Sequence, residues 1–261
     1  MHRSRSALSS LLAAVVLVLC LGAGSALAAD KYVALGDSYS SGTGTGSYSL
    51  SSSCLRSTYA YPYLEAQARP NTSLFFVACS GATTTDVMNN QIASVTSDTA
   101  LVSITIGGND AGFSNVVVSC TTLGCQSAIS NAQSYIRTTL PGRLDTVYSA
   151  IRSRAPTARV LVLGYPRLFQ SSGCLGTTGI DAGERTQLNA TADLLDSVIS
   201  TRAAAYGFTY RSAIGQFTGH AVCSSSAWLN GLNILNTTES YHPNRPGHSS
   251  GYLPLVRSVL G

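Results

Sequence analysis

Short apolar runs rich in β-branched residues recur along the chain and alternate with longer segments of helical periodicity. The short runs show no polar alternation, which is typical of strands buried on both faces of a parallel sheet. They occupy residues 32–35, 74–78, 101–106, 160–163 and, more weakly, 208–210. Apolar residues recur at helical spacing in 60–68, 126–154, 182–206 and 246–259. Strands that alternate with helices predict an α/β domain with helices layered on a parallel sheet.

The first 28 residues carry a different pattern from the rest. Arg3 and Arg5 precede an apolar run at 11–21 and a small-residue cleavage site at 26–28, so we interpret residues 1–28 as a secretory signal peptide. Residues 29–261 are predicted to form one domain, because no linker or internal repeat divides them. No later apolar run reaches the roughly 18–20 residues of a membrane helix, so we expect the mature chain to be soluble. The signal peptide predicts an extracellular protein. We also expect a monomer.

Charge and glycine content add two expectations. Without the leader the chain has fourteen basic and twelve acidic residues, a net charge of +2, and the basic residues form no block. This argues against a nucleic-acid partner. Segments 41–53 and 171–178 are rich in glycine, serine and threonine, and are predicted to be surface loops.

The cysteine count predicts disulfide bonds. The leader contains Cys20, and the six remaining cysteines are Cys54, Cys79, Cys120, Cys125, Cys174 and Cys223. An even number in an exported chain is typical of disulfides, whereas a metal site would favour paired CxxC motifs, which this chain lacks. The short separation of Cys120 and Cys125 favours a local loop. The simplest scheme then pairs the other four in chain order, Cys54 with Cys79 and Cys174 with Cys223.

The exit of the first strand places a serine where open α/β sheets bind their ligands. Residues 32–35 run into Gly36-Asp37-Ser38, so Ser38 is predicted at the carboxyl end of a central strand, where it could act as a nucleophile. The same tripeptide is also ordinary turn chemistry, with serine capping the next helix. The tripeptide alone therefore does not establish catalysis.

Two further strands end in residues that suit acyl transfer. The second strand leads to Gly81, whose amide would let a substrate approach closely, and the third leads to 107–110, where Asn109 offers a side-chain donor. Donors of this kind stabilise a developing oxyanion. The alternative for 107–110 is a turn into a helix with Asp110 as its cap.

A serine nucleophile requires a base, and three histidines remain outside the leader. His242 stands in a loop just before Pro246, which is predicted to open the last helix, so it could reach the sheet edge. His248 is predicted inside that helix, and His220 in a loop near Cys223. Structural roles or simple exposure are expected for these two.

Together these four blocks resemble those of the GDSL, or SGNH, hydrolase family, in order and spacing across residues 32–248, and especially its secreted actinomycete lipases and phospholipases. The resemblance implies a flavodoxin-like, three-layer α/β/α sandwich around a five-stranded parallel sheet. It also implies that Ser38 and His242 are catalytic. The oxyanion hole would comprise the Ser38 amide, the Gly81 amide and the Asn109 side chain. Three sequential disulfides are typical of the family's secreted members.

The fourth block departs from the common family pattern, which has aspartate three residues before the histidine. This chain has Glu239 there, and its carboxylate could orient the His242 imidazole. Similarity to several secreted actinomycete relatives implies instead the main-chain carbonyl of Ser240. A carbonyl fixes the tautomer but brings no full negative charge. We favour the Ser240 carbonyl.

The resemblance implies a secreted serine hydrolase of lipid esters that forms an acyl-enzyme on Ser38 and needs no cofactor or metal, with its substrate at a membrane or micelle surface. A carbohydrate acetyl esterase on the same scaffold is the alternative. A non-catalytic binding module is disfavoured, because nucleophile, base and donors are all present. The motifs do not distinguish triacylglycerol from phospholipid, or the sn-1 from the sn-2 position.

Overall fold

Five parallel strands form the centre of the protein. The computed structural model describes residues 29–122 and 124–260, so the predicted signal peptide lies outside the described residues. The strands are β1 (Asp30–Gly36), β2 (Thr72–Phe76), β3 (Thr99–Thr105), β4 (Arg159–Leu163) and β5 (Thr209–Arg211). They pair in the order β2-β1-β3-β4-β5, with every neighbouring pair parallel. This is the strand order of flavodoxin-like sheets, and it confirms the predicted fold class.

Helices cover both faces of the sheet. They are α1 (Ser38–Ser41), α2 (Tyr61–Gln67), α3 (Thr84–Asp86), α4 (Phe113–Cys120), α5 (Gln126–Thr138), α6 (Leu140–Arg154), α7 (Ala182–Ala205), α8 (Ala213–Gln216) and α9 (Leu253–Leu260). Helices α5, α6 and α7 pack together, and α2 packs with α9. The chain moves one way along the sheet from β1 to β2 and the other way from β3 to β5. Right-handed crossovers therefore place α2 on the face opposite to α5, α6 and α7.

The core lies between the sheet and these helices. The central strand β3 is buried almost continuously, as expected for a strand covered on both faces. Helix α6 buries one stripe, formed by Leu140, Leu144, Val147, Tyr148 and Ile151. Truncating a fully buried leucine such as Leu144 to alanine typically costs about 2–5 kcal/mol.

The structure corrects two predicted elements. The single helix predicted over 126–154 is two helices, α5 and α6, which meet at Thr139. Pro141 has no N–H to continue the helical ladder from α5, but a proline is accepted in the first turn of α6. Strand β2 ends at Phe76 rather than at Ala78, because the N–H groups of Val77 and Ala78 both turn to the Ala34 carbonyl.

The predicted surface loop 41–53 is also partly wrong, because residues 41–45 are buried. The Thr45 hydroxyl donates to the Gly42 carbonyl at 2.8 Å and lies 2.8 Å from the Ser57 hydroxyl. A Cβ on Gly42 would lie 2.7 Å from the Ser57 Cβ, so only glycine lets these segments pack this closely. Small polar side chains therefore pack here instead of facing solvent, whereas the predicted loop 171–178 is largely exposed.

Three disulfide bonds tie loops to the framework, Cys54–Cys79, Cys120–Cys125 and Cys174–Cys223. Glu184 lies beside the second of them, and its carboxylate accepts from the Cys125 N–H at 3.2 Å. Because their sulfurs are bonded to each other, Cys120 and Cys125 are not free to ligate a metal with Glu184. Within residues 29–122 and 124–260, no helix has both the length and the apolar character to cross a membrane.

Candidate active site

The turn after β1 fixes the position of Ser38. Gly36 has a φ of +124°, and a Cβ there would lie 2.4 Å from the Thr105 carbonyl oxygen, so the turn requires glycine. The buried Gln91 side chain accepts from the Gly36 N–H at 2.8 Å and donates to its carbonyl at 2.9 Å. Ser38 then begins the short helix α1 at the carboxyl edge of the sheet, with 4% of its surface exposed.

Asp37 connects this turn to the end of β3. Its carboxylate accepts from the Tyr39 N–H at 2.9 Å and from the Tyr165 hydroxyl, which itself accepts from the Gly108 N–H at 3.0 Å. Burial raises the pKa of Asp37 to about 7, although both hydrogen bonds to the carboxylate oppose the shift. The neighbouring Asp110 does not cap α4, which begins after Gly112. Instead it accepts from the Thr84 N–H at 2.9 Å, which corrects the capping alternative.

Ser38 and His242 are in direct contact. The Ser38 Oγ lies 2.8 Å from His242 Nε2, and His242 Nδ1 lies 3.0 Å from the Ser240 carbonyl oxygen. Because a carbonyl can only accept, Nδ1 carries the proton and Nε2 is left to accept from the serine. Burial lowers the pKa of His242 to about 4, an effect that the Ser240 carbonyl partly opposes. The imidazole is therefore neutral near pH 7 and able to act as a base.

The Glu239 carboxylate has a different partner. It accepts a hydrogen bond from the Tyr48 hydroxyl. Burial, followed by this bond to Glu239, raises the pKa of Tyr48 to about 12, so the phenol keeps its proton and remains a donor. The arrangement favours the Ser240 carbonyl over Glu239 as the group that orients His242.

The three expected oxyanion donors line one cleft with Ser38 and His242. Among the described residues, the N–H groups of Ser38 and Gly81 have no hydrogen-bond partner. Gly81 has a φ of +80°, which favours glycine. Asn109 Nδ2 donates to the Ala82 carbonyl at 3.0 Å, and this bond orients the amide while leaving its second hydrogen.

Asn230 is a contributor to the site that the sequence did not reveal. Its side-chain amide donates to the Gly44 carbonyl at 2.9 Å and to the Glu239 carbonyl at 3.2 Å. Its main chain accepts from the Tyr241 N–H at 3.1 Å and donates to the His242 carbonyl at 2.9 Å. An asparagine in a loop looks like an ordinary turn residue, so only the fold reveals these contacts.

Gly44 and Tyr39 also hold the histidine loop. Gly44 has a φ of +98°, and a Cβ there would lie 2.9 Å from the His242 Cβ. The Tyr39 hydroxyl donates to the Tyr241 carbonyl at 2.8 Å, and its ring centroid lies 5.4 Å from that of His242. Tyr39 follows Ser38 in sequence, so one short segment carries the serine and supports its partner.

The other two histidines lie elsewhere. His248 is fully buried in the π-helical turn Gly247–Tyr252, and its Nδ1 accepts from the Tyr61 N–H at 3.4 Å. His220 stacks on Trp228, with 3.6 Å between ring centroids. Neither residue lines the cleft that contains Ser38 and His242.

The cleft has a volume of about 590 Å³. Apolar side chains line much of it, among them Phe113, Val117, Val118 and Leu168. Polar side chains also line it, among them Ser114, Asn115, Thr237 and Thr238. A cleft that combines apolar side chains with convergent polar groups suits a ligand that has a hydrocarbon part and one reactive polar part.

Comparison with known proteins places the chain in a family. The model of the GDSL-like lipase/acylhydrolase family matches residues 34–249. Lipase 1 of Streptomyces coelicolor is 51% identical over 238 residues, which cover 89% of this chain and 87% of that protein. The crystal structure of an extracellular lipase from Streptomyces rimosus has a TM-score of 0.85 at 48% identity, covering 88% of this chain and 100% of that one.

A phospholipase A1 from Streptomyces albidoflavus NA297 is equally similar in structure. Its crystal structure has a TM-score of 0.85 at 50% identity, and the match covers 89% of this chain and 100% of that chain. The family model and these relatives all span most of the chain. The protein therefore belongs to the GDSL-like lipase/acylhydrolase family.

Proposed function

We propose that the protein is a secreted serine hydrolase that cleaves the carboxylic esters of lipids through an acyl-enzyme on Ser38. The observation that carries the proposal is the pair of hydrogen bonds that joins Ser38 Oγ through His242 to the Ser240 carbonyl, in a cleft that apolar side chains partly line. These three groups supply a nucleophile, a neutral base and an acceptor that fixes the tautomer of the base.

The geometry supports a two-step reaction. His242 Nε2 takes the proton of Ser38 as Oγ attacks the ester carbonyl, and the N–H groups of Ser38 and Gly81 with the Asn109 amide stabilise the oxyanion. When the intermediate collapses, the imidazolium gives its proton to the leaving alcohol, and the acyl group stays on Ser38. Water then attacks the acyl-enzyme with His242 again as base, which releases the fatty acid and restores the serine.

His242 must carry a positive charge during each step without a carboxylate beside it. Burial disfavours that charge, and the Ser240 carbonyl dipole partly compensates. The negative charge on the bound oxyanion forms at the same moment, close to the imidazolium. We infer that this pairing within the reacting complex offsets the absence of a third ionised residue.

Lipid esters are the substrate class that the similarities support. The relatives that share about half of their residues with this chain are named lipase, extracellular lipase and phospholipase A1. Secretion is supported by the extracellular description of the Streptomyces rimosus lipase and by three disulfides, which persist in oxidising compartments. We propose phospholipase A-type cleavage at a membrane or micelle surface as the working specificity.

The experiment that tests the substrate class uses two esters side by side. Purified protein is incubated with vesicles of a phosphatidylcholine whose sn-1 and sn-2 acyl chains differ, and separately with acetylated xylan. We expect fatty acid release from the vesicles, and the identity of the released chain assigns the position of cleavage. The Ser38→Ala variant is the matched control and should release neither chain. Efficient acetate release with intact vesicles would instead make the protein a carbohydrate esterase.

A further inference from the structure

The most exposed large aliphatic side chains of the described residues lie on two loops. Leu235 is 94% exposed, Leu175 is 91% exposed and Ile234 is 79% exposed. The other exposed large hydrophobic residues reach at most 45%. We call the side chains of Leu175, Ile234 and Leu235 the apolar rim. Exposing large aliphatic side chains to water costs free energy, so groups of them commonly mark a binding surface.

The two loops that carry the apolar rim are fixed to each other. The Leu232 N–H donates to the Gly176 carbonyl at 2.9 Å. A Cβ on Gly231 would lie 2.6 Å from the Gly176 Cα, so the backbones touch where both residues are glycine. The Cys174–Cys223 disulfide adjoins Leu175 and anchors its loop. The backbone that carries the apolar rim is therefore held in place by a hydrogen bond, a close backbone contact and a disulfide.

The apolar rim is continuous with the candidate active site. Leu235 is followed by Thr237 and Thr238, which line the cleft, and then by Ser240. The Asn233 N–H donates to the Ser240 hydroxyl at 2.8 Å, and its side chain accepts from the Leu235 N–H at 3.1 Å. The turn that presents two rim residues is thus tied to the residue whose carbonyl contacts His242.

Both loops lack charged residues. Residues 168–180 and 221–238 contain no aspartate, glutamate, lysine or arginine. A surface of this kind can enter a medium of low dielectric constant without desolvating an ionised group. The acyl chains just below the lipid headgroups form such a medium, and apolar side chains bind there by burial of their surface.

We propose that the apolar rim inserts into the surface of a phospholipid membrane and so directs the mouth of the cleft at its substrate. This proposal rests on the proposed lipid-ester hydrolysis and adds to it the surface that finds the lipid. The two loops touch and lead into the cleft, so insertion of Leu175, Ile234 and Leu235 brings Ser38 and a lipid ester to the same side of the protein.

A second copy of this chain fits the apolar rim less well. Three aliphatic side chains together offer only roughly 200–350 Å² of apolar surface. A stable protein–protein interface buries about 800 Å² on each partner. A membrane needs no matching shape or minimum area, so a small rim is sufficient for it.

The test separates binding from catalysis. Vesicle co-sedimentation with phosphatidylcholine is measured in the Ser38→Ala background, where the lipid stays intact. Each change Leu175→Ser, Ile234→Ser or Leu235→Ser should weaken vesicle binding about tenfold, and the triple change about a thousandfold, because each inserted aliphatic side chain is expected to contribute about one factor of ten. Phe75→Ser is the matched control, since Phe75 is an exposed apolar residue on β2, outside both loops, and should leave binding unchanged.

Activity is measured for the same loop variants in protein that retains Ser38. Turnover of a soluble short-chain nitrophenyl ester should stay within about twofold of wild type, while vesicle hydrolysis at low lipid concentration falls in proportion to binding. Unchanged vesicle binding by the triple variant would overturn the rim proposal. The rim proposal would also be overturned if wild type sedimented as a dimer and the triple variant as a monomer, because the rim would then bind a second copy of the chain. Failure of the proposed function is distinguishable from failure of the rim proposal. In that case wild type would show no ester turnover, whereas its co-sedimentation with vesicles would be unaffected.

Discussion

Ser38 and His242 meet across the candidate site, but the chain positions them by different means. Ser38 follows β1, a buried strand between β2 and β3, through a turn that Gly36 and Gln91 define. Its position is set by the packing of the sheet. His242 lies in an irregular segment that is fixed by hydrogen bonds from Asn230 and Tyr39 to nearby main-chain groups.

This difference predicts different responses to mutation. A change near the strand ends acts on groups that the core already holds in place, so it should affect the chemistry of the site directly. A change in the contacts of the histidine loop should reduce the fraction of molecules in which His242 faces Ser38. Such a loss should appear in kcat before it appears in global stability, because the contacts that these changes remove are hydrogen bonds and not core packing.

Loss of the nucleophile should have the largest effect. Ser38→Ala should lower ester turnover by at least about 10⁴-fold, as removal of one member of a catalytic unit typically does. Circular dichroism and thermal unfolding should match wild type, because the strand and its turn are unchanged. Turnover within tenfold of wild type would remove Ser38 from the proposed mechanism.

Loss of the Asn109 side-chain donor, which follows the end of β3, should have the next largest effect. Asn109→Ala should reduce kcat by roughly 100- to 1,000-fold with little change in KM, because this bond strengthens only as charge develops on the oxyanion. Steady-state kinetics on a soluble nitrophenyl ester separate the two constants. An effect confined to KM would mean that Asn109 binds the substrate instead.

Asn230 tests the histidine-loop side of the comparison. Asn230→Ala should lower kcat by about 10- to 100-fold, with KM and the unfolding midpoint near wild type, because misplacement of a catalytic group by about 1 Å has that scale. Asn230→Asp should be at least as damaging, since a carboxylate cannot donate to the Gly44 and Glu239 carbonyls.

The matched control for this prediction is Asn236→Ala, because Asn236 is an exposed asparagine of the same loop. It should retain wild-type kcat. Equal kcat for Asn230→Ala and Asn236→Ala would show that the histidine loop does not depend on the contacts of Asn230.

A smaller effect is expected at Glu239. Glu239→Gln should lose less than about tenfold in kcat, because the Ser240 carbonyl persists whatever side chain occupies position 239. A true triad acid would lose about 10⁴-fold on conversion to an amide. Tyr48→Phe, which removes the hydrogen-bond donor of Glu239, serves as the parallel variant and should behave like Glu239→Gln. A collapse in Glu239→Gln alone would make Glu239 the third catalytic residue.

The pH profiles of the wild-type enzyme and of Glu239→Gln offer a further test. Because burial lowers the pKa of His242 below its ordinary 6.5, imidazolium forms only under more acidic conditions, and the base stays active there. The acid limb of kcat/KM should therefore have its midpoint below pH 6.5, and it should not move downward in Glu239→Gln. A midpoint above 6.5 would indicate a carboxylate that stabilises the imidazolium.

The same division separates what the sequence reveals from what it does not. Buried parallel strands are readable because their apolar runs are continuous, and the positions of Gly36, Gly81 and Asn109 follow from where those runs end. Local periodicity failed at Pro141, where the helical pattern continues across a break that the proline imposes. The residues that follow the strand ends in the candidate site can therefore be predicted mostly from the local sequence.

The histidine half depends on contacts between distant segments. Residues 41–45 look like a surface loop, yet they are buried, and Gly44 contacts His242 and Pro243 about 200 residues later in the chain. Asn230 gives no local signal of its four hydrogen bonds. Loop position and similarity to a family predict His242 and the Ser240 carbonyl, whereas the contacts of Asn230, Gly44 and Tyr39 with the histidine loop are visible only in the fold.

Covalent trapping of the nucleophile tests the central claim most directly. An alkyl fluorophosphonate forms a phosphorus–oxygen bond with an activated serine as fluoride leaves, and peptide mass spectrometry locates the adduct. We expect one adduct, on Ser38, in step with loss of ester turnover, and a much slower reaction in His242→Ala. Inactivation with the adduct on a different residue, or full turnover by protein whose Ser38 is modified, would contradict the account.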